Sequence, residues 1–315
     1  MLDQHHYLND FSAFTQGVFS PFDTVSLTIG GRYDNYHTVG EQLSYRSSFI
    51  YSFSKNQTLR LSYGTAFRTS SYSEAYWAIT MPFPDPNFSI PGLQLHINGN
   101  RDLDPESIKT YEAAYQARLL DSRLKVSTTL FFNQLSDFIY ARIVGGVYLP
   151  PPFSLYVPNE IGMVNFGDGK AYGGELGINM SLSEEIDYYV NYAYQYFEST
   201  QDDPYTLQNE KNQHIRSSPS HKVNCGIHLL FPKGFSTDIF AHYVGKTHWT
   251  NSLWPQSITD LDAYWPVNSR IALTLVKDQL EVALSVHNLL NDIHREHTAG
   301  ELSGRQILLS VHLDI

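Results

Sequence analysis

The side chains best equipped for chemistry in this 315-residue chain are imidazoles and aromatic rings, with 13 His, 22 Tyr, 18 Phe and 4 Trp. His37, His96, His214, His248, His294 and His297 fall in or beside long polar segments. Imidazole is a common metal ligand and proton carrier. His294 and His297 stand three apart, but spacing fixes no third ligand beside them, so no metal site and no cofactor is expected. A single cysteine, Cys225, excludes an intrachain disulfide and any multi-Cys metal site. Gly64-Thr65-Ala66 and Gly145-Gly146 do not make a phosphate loop, and neither G-x-S-x-G nor H-E-x-x-H occurs, so no enzyme is expected. The rings cluster. Segment 67–106 holds Tyr72, Tyr76, Trp77, Phe83 and Phe88 among Pro82, Pro84, Pro86 and Pro91, and Trp249, Trp254, Tyr264 and Trp265 surround another polar stretch. Stiff aromatic loops suit a ligand with planar or apolar parts. Ring packing between loops explains them equally well. The candidate ligand contacts are Tyr76, Trp77, His96, Trp249, Trp254, His294 and His297.

Such loops need a scaffold, and residue alternation describes one. Ile307, Leu309, Val311, Leu313 and Ile315 alternate with Gln306, Leu308, Ser310, His312 and Asp314, one face wholly apolar and the other mostly polar. Leu280, Val282, Leu284 and Val286 alternate with Glu281, Ala283, Ser285 and His287; Tyr188, Val190, Tyr192, Tyr194 and Tyr196 form a further apolar row. Period two with two unlike faces is the mark of a strand between two solvents. Helical periodicity is weak, so the chain reads as all-β. About thirteen strands are expected, near 10–20, 24–36, 43–53, 58–67, 107–119, 123–139, 170–182, 186–198, 219–231, 235–247, 264–276, 279–289 and 304–315. Short polar turns alternate with longer irregular loops at roughly 37–42, 67–106, 140–169, 199–218, 248–263 and 290–303.

That alternation fits an antiparallel up-and-down transmembrane β-barrel, with short periplasmic turns and long extracellular loops. No apolar run approaches the roughly 18 residues of a membrane helix. Tyr51, Phe53, Tyr63, Tyr188, Tyr196 and Phe231 near strand ends would supply interfacial girdles. Charged residues are only 17% of the chain, low for a soluble domain, and net charge is −11. That charge is expected to spread over lumen and loops, and the acidic balance argues against a nucleic-acid partner. A soluble β-sandwich or propeller also alternates, but has neither the 40-residue loop nor the shared sidedness of loop lengths. The N-terminus carries no signal-peptide pattern. An odd strand count leaves first and last strands running the same way, so the chain is expected to be part of a larger barrel.

Three stretches resemble TonB-dependent outer-membrane receptors. Ser62-Tyr63-Gly64-Thr65-Ala66-Phe67-Arg68-Thr69-Ser70-Ser71, followed by Glu74-Ala75-Tyr76, is similar to the family's G-x-A-F-R-x-P-S/T stretch. Gly99-Asn100-Arg101-Asp102-Leu103-Asp104-Pro105-Glu106, followed by Tyr111-Glu112, is similar to G-N-P-x-L-x-P-E…Y-E-x-G. Asn165-Phe166-Gly167, Ala171-Tyr172-Gly173-Gly174-Glu175 and the late Asn288-Leu289-Leu290-Asn291 resemble N-x-G…G-x-E and N-L-x-N/D, and Gly30-Gly31-Arg32-Tyr33-Asp34 resembles G-x-R-Y-D. Thr69-Ser70 and Arg101 replace the usual prolines, and Ile315 stands where an aromatic often ends the chain.

The resemblance implies the C-terminal part of a 22-stranded barrel, residues 1–315 forming one barrel region without the family's plug domain. It implies a Gram-negative outer-membrane location, a lipid environment, and uptake of a scarce ligand powered by a TonB partner acting through the plug. Siderophore–iron, haem, cobalamin or oligosaccharide all fit as the small-molecule or metal-chelate ligand. Haem-receptor members carry a His between the first two motifs, the interval that His96 occupies. Arg68, Glu106, Arg118 and Glu175 alternate onto polar strand faces and are expected in the lumen, as a translocation wall, a plug-docking surface or simple salt bridges. A passive porin-like channel and a surface adhesin are the competing functions.

Overall fold

The computed structural model describes residues 10–36, 39–83, 92–152, 154–199, 217–249, 260–277, 279–298 and 300–314. In chain order the first half comprises β1 (Phe11–Phe22), β2 (Val25–Tyr36), β3 (Gly40–Ser54), β4 (Gln57–Arg68), helix α1 (Tyr72–Tyr76), β5 (Ala78–Pro82), β6 (Gln94–Asn98), β7 (Glu106–Leu119), β8 (Leu124–Ser136), β9 (Ile139–Leu149) and β10 (Leu155–Asn165). The second half comprises β11 (Gly169–Ser181), β12 (Ile186–Ser199), β13 (His221–Phe231), β14 (Phe235–Val244), β15 (Thr247–His248), β16 (Asp260–Leu261), β17 (Val267–Val276), β18 (Leu280–His287) and β19 (Gln306–Leu313).

Thirteen of these strands form one antiparallel sheet in simple up-and-down order, β1-β2-β3-β4-β7-β8-β11-β12-β13-β14-β17-β18-β19. The number matches the alternation read from the sequence, and strand limits differ by a few residues at each end. β1 and β19 are the two edges, and they run in the same direction. Each tight turn lies at one end of the sheet. At Leu120, Asp121 and Ser122 the backbone takes positive φ (52°, 53° and 70°) to reverse within a few residues.

Cross-strand register assigns the two faces. One carries Leu43, Leu61, Leu130, Ile239, Leu284 and Leu309, all exposed. Large exposed aliphatic residues on one face of a sheet are what a lipid-facing wall requires. Rings run across the same face from strand to strand: Tyr45–Tyr63 at 6.3 Å, Tyr63–Tyr111 at 4.9 Å, Tyr111–Phe132 at 6.2 Å and Tyr172–Tyr196 at 5.2 Å. This is a girdle. Tyr51–Phe53 and Phe231–Phe235 sit by the tight turns. The opposite face is polar and ion-paired: Arg32 with Asp34, Arg60 with Glu112, His228 with Asp238, and Arg270 with Glu281. Charge is cheap there and costly against lipid.

The long connections depart from the sequence reading in two places. Segment 140–169 is not irregular: β9 and β10 pair as an antiparallel hairpin along its length. Segment 67–106 contains α1, β5 and β6. β5, β6, β10 and β9 join in that order into a second sheet, with β6 parallel to β10. The alternation rule missed these strands because Gly, Pro and short strand length blur the period. A small core of Leu103, Ile139 and Met163 lies beside this second sheet.

Candidate functional site

The family-like stretches converge on one knot at the loop end of the polar face. Arg68, the last residue of β4, forks onto Glu106 at the start of β7 (Nε–Oε2 2.6 Å, Nη2–Oε1 2.7 Å). It also reaches Glu74 in α1, with Nη1–Oε2 at 2.8 Å. Glu74 and Ser71 form a reciprocal cap that starts α1: Ser71 N–H donates to Glu74 Oε2 at 2.6 Å, and Glu74 N–H donates to Ser71 Oγ at 3.3 Å. The Arg68 guanidinium holds the Glu74 carboxyl below its usual range, outweighing the cost of partial burial. Glu106 Oε1 accepts from the Ile139 N–H at 2.8 Å, so one guanidinium ties together β4, α1, β7 and β9.

Asn165 closes the knot. Its Nδ2 donates to the carbonyls of Asp104 and Asp137, both at 2.8 Å, and its Oδ1 accepts from Asp104 N–H at 2.7 Å. Nearby Asp137 is pushed above the ordinary carboxyl value by desolvation and by the charges of Asp168 and Asp104. Gly99 lies flat on the helix: its N–H donates to Trp77 O at 2.7 Å, and a Cβ there would stand 2.6 Å from the Tyr76 backbone N.

This knot presents the first group of candidate residues. Tyr76 stacks on Tyr72 at 4.8 Å, and Arg101 lies over its ring at 4.6 Å. Trp77 is exposed. His96 sits on β6, with Nδ1 3.2 Å from Thr80 Oγ1, opposite Glu160 in the parallel pairing. Below them on the polar face, a cavity of about 400 Å³ is lined by Arg32, Asp34, Tyr36, Ser44, Arg68 and Thr69. Asp34 is wholly buried, held by Arg32 Nε at 2.8 Å and by the Ser12 hydroxyl at 2.5 Å.

A second knot organises the other group. Asn288 and Asp292 bond reciprocally, Asn288 Nδ2 to Asp292 O and Asp292 N–H to Asn288 Oδ1, both at 2.8 Å. Asp292 Oδ2 accepts from the Trp265 N–H at 3.0 Å, linking the β14–β17 and β18–β19 connections. His294 is buried, contrary to its reading as a hydrophilic loop residue: it stacks on Tyr264 at 4.2 Å and 11°, with Nδ1 2.7 Å from Asp292 O. Burial, with the nearby Glu296 charge, raises the Tyr264 hydroxyl pKa. The His297 and Trp249 rings make a T-shaped contact with centroids 5.4 Å apart. His248 bonds Asp260 at 2.7 Å and lowers its pKa. Trp254 lies outside the described residues, as do His37 and His214.

All four charged residues read as lumen-facing share the polar face by register. Arg68 and Glu106 form the ion pair just described; Arg118 and Glu175 are exposed and have no ion-pair partner among the described residues. No group of three His, Cys, Asp or Glu that could hold a metal occurs among the described residues. With strands assigned, the five long connections (69–105, 137–168, 200–220, 245–266 and 288–305) contain fifteen Asp and Glu against seven Lys and Arg. Sequence reasoning missed Tyr264 as the platform for His294, and missed Asn165 and Asn288 as loop clasps, although the motifs containing these asparagines were visible.

A lipid-facing strand wall with a polar inner face, capped at one end by knotted aromatic loops, defines a β-barrel receptor wall of the outer-membrane type. The chain belongs to the TonB-dependent receptor-like β-barrel family, whose model matches residues 3–289. Membership places it in the outer membrane of a Gram-negative cell. It is 24% identical over 193 residues to the iron-regulated outer membrane virulence protein of Vibrio cholerae serotype O1, covering 60% of this chain and 27% of that protein. Among solved structures, it resembles the siderophore receptor PirA of Acinetobacter baumannii (TM-score 0.74, 15% identity, 97% of this chain and 46% of that one). It also resembles a mutant of the ferric enterobactin receptor PfeA of Pseudomonas aeruginosa in complex with enterobactin (TM-score 0.75, 15% identity, 97% and 45%). The chain thus spans about a quarter of that curated relative and under half of these solved receptors.

Proposed function

We propose that this chain forms the wall and half of the loop lip of an energy-coupled receptor that takes up an iron chelate. The supporting observation is the pair of hydrogen-bonded knots, which hold Tyr76, Trp77, His294 and His297 at the loop end of an ion-paired polar face. Rigid loops that carry rings at a barrel mouth capture dilute ligands at low ordering cost. An iron chelate is favoured over haem, cobalamin or oligosaccharide by the iron-regulated relative and the siderophore-receptor folds. His96 lies on β6, an inner strand of the small sheet, and is bonded to Thr80, which supports a structural role rather than haem ligation. Energy comes from a TonB partner acting through the plug that family members carry.

The test is iron-limited growth and labelled ferric-chelate uptake in cells with and without the protein, each with and without TonB. Uptake that needs both supports the reading. Uptake independent of TonB indicates a passive channel, and surface binding without uptake indicates an adhesin.

A further inference from the structure

Beside the second knot, two polar atoms are shut off from solvent and have no hydrogen-bond partner among the described residues: the Thr247 hydroxyl oxygen and the Trp249 indole Nε1. Buried polar groups are nearly always paired, so an orphan calls for a partner that binds from outside the chain. Thr247 is 6% exposed. Thr247 and His248 form β15, Trp249 follows directly, and His248 bonds Asp260. Thr247 and Trp249 stand on either side of His248, and the Trp249 and His297 ring centroids lie 5.4 Å apart.

We infer that Thr247 and Trp249 form a ligand subsite that donates two hydrogen bonds to an oxygen acceptor of the chelate. This rests on the iron-chelate reading above. An indole N–H is a donor only, so a cation is refused at this point and an oxygen accepted. Both hydroxamate and catecholate chelates present such oxygens around iron. Tyr264, bridged to Val244 just before this segment and stacked flat on His294, gives the subsite a rigid support.

The experiment uses outer membranes carrying the intact protein. Thr247→Val keeps shape and removes one donor; Trp249→Phe removes the indole donor together with part of the ring, and the double variant removes both donors. Two probes are titrated, an uncharged tris-hydroxamate ferric chelate and the trianionic tris-catecholate chelate of enterobactin, with binding read by quenching of tryptophan fluorescence and by retained radioactive iron. The expected result is a five- to twentyfold loss of affinity for each single variant toward whichever probe the wild type binds, with thermal stability unchanged or raised in Thr247→Val. Stability is the discriminating readout, because removing an orphaned donor relieves the folded protein whereas removing a donor used internally weakens it. Unchanged affinity with lowered stability overturns the subsite and leaves the receptor reading intact. Wild-type protein that binds neither probe overturns both.

Discussion

Replacing Arg68 with Gln should detach the β4–β7 connection from the sheet without unfolding the wall. Arg68 makes four N–H···O contacts between 2.6 and 3.1 Å to two carboxylates. Its own side chain is 46% exposed, while those of Glu74 and Glu106 are 19% and 21% exposed. Exposure of the cation holds each ion pair to about 0.5–1 kcal/mol. The larger cost lies in what remains, two mostly covered carboxylates without a cation, at about 1 kcal/mol or more in total. A loss of about 2–3 kcal/mol follows for the knot. Limited proteolysis should report it as faster cleavage within 69–105, and urea unfolding of the protein in lipid as a smaller change for the wall. Adding Glu74→Gln and Glu106→Gln should restore roughly half the loss by removing the stranded charges. The sign with pH is fixed by Glu74, whose folded pKa is lowered. Its contribution is complete above the ordinary carboxyl value and disappears as pH falls through the lowered one, so the gap between wild type and Arg68→Gln should close on acidification. Equal proteolysis of the two proteins at neutral pH would falsify the hub.

Gly99→Ala should loosen the same connection by about 1–3 kcal/mol, because the new Cβ meets the helix backbone and not a side chain that can swing away; proteolysis of the connection measures it, and an undisturbed loop contradicts the packing. Asp137→Asn should stabilise the protein by a few tenths of a kcal/mol at neutral pH, screening keeping the gain small at this exposed site. The Asp137 pKa is raised, so its charged form opposes folding above that pKa, and the opposition fades as pH falls through it. The Asn variant should therefore show less gain in stability on mild acidification, and its φ of 62° suits Asn. The fifteen-to-seven excess of acids at the loop end predicts that affinity for a trianionic chelate rises several-fold between about 0.05 and 0.5 M salt as repulsion is screened. Affinity for an uncharged chelate should stay level; an anionic chelate that binds more weakly at high salt contradicts the charge argument.

The wall was legible in the sequence because a strand between lipid and water writes its register into every second residue. Val282, Leu284, Leu309 and Val311 could belong to only one face, and a slip by one residue would have put Glu281 and His312 into lipid. The loops obey no such rule. β9 and β10 carry Gly145, Gly146, Pro158 and Gly162, and no burial alternation runs the full length of either strand, so neither period nor polarity marks them. His294 looked solvated because its sequence neighbours, Arg295 and Glu296, are charged; its burial is made by Tyr264, thirty residues earlier, across two connections. Motif residues were seen but their partners were not. Arg68, Glu74, Glu106 and Asn165 were visible as separate family-like marks, and their meeting in three dimensions commits each of them to holding backbone and carboxylates at the loop bases. Ligand contact then falls to side chains that the knots present and do not consume. Among the residues singled out by type, Trp77 and Trp249 meet that condition, the first exposed and the second with an unpaired indole N–H. Arg68 does not, since its donors are already spent on the two carboxylates that fix the loop.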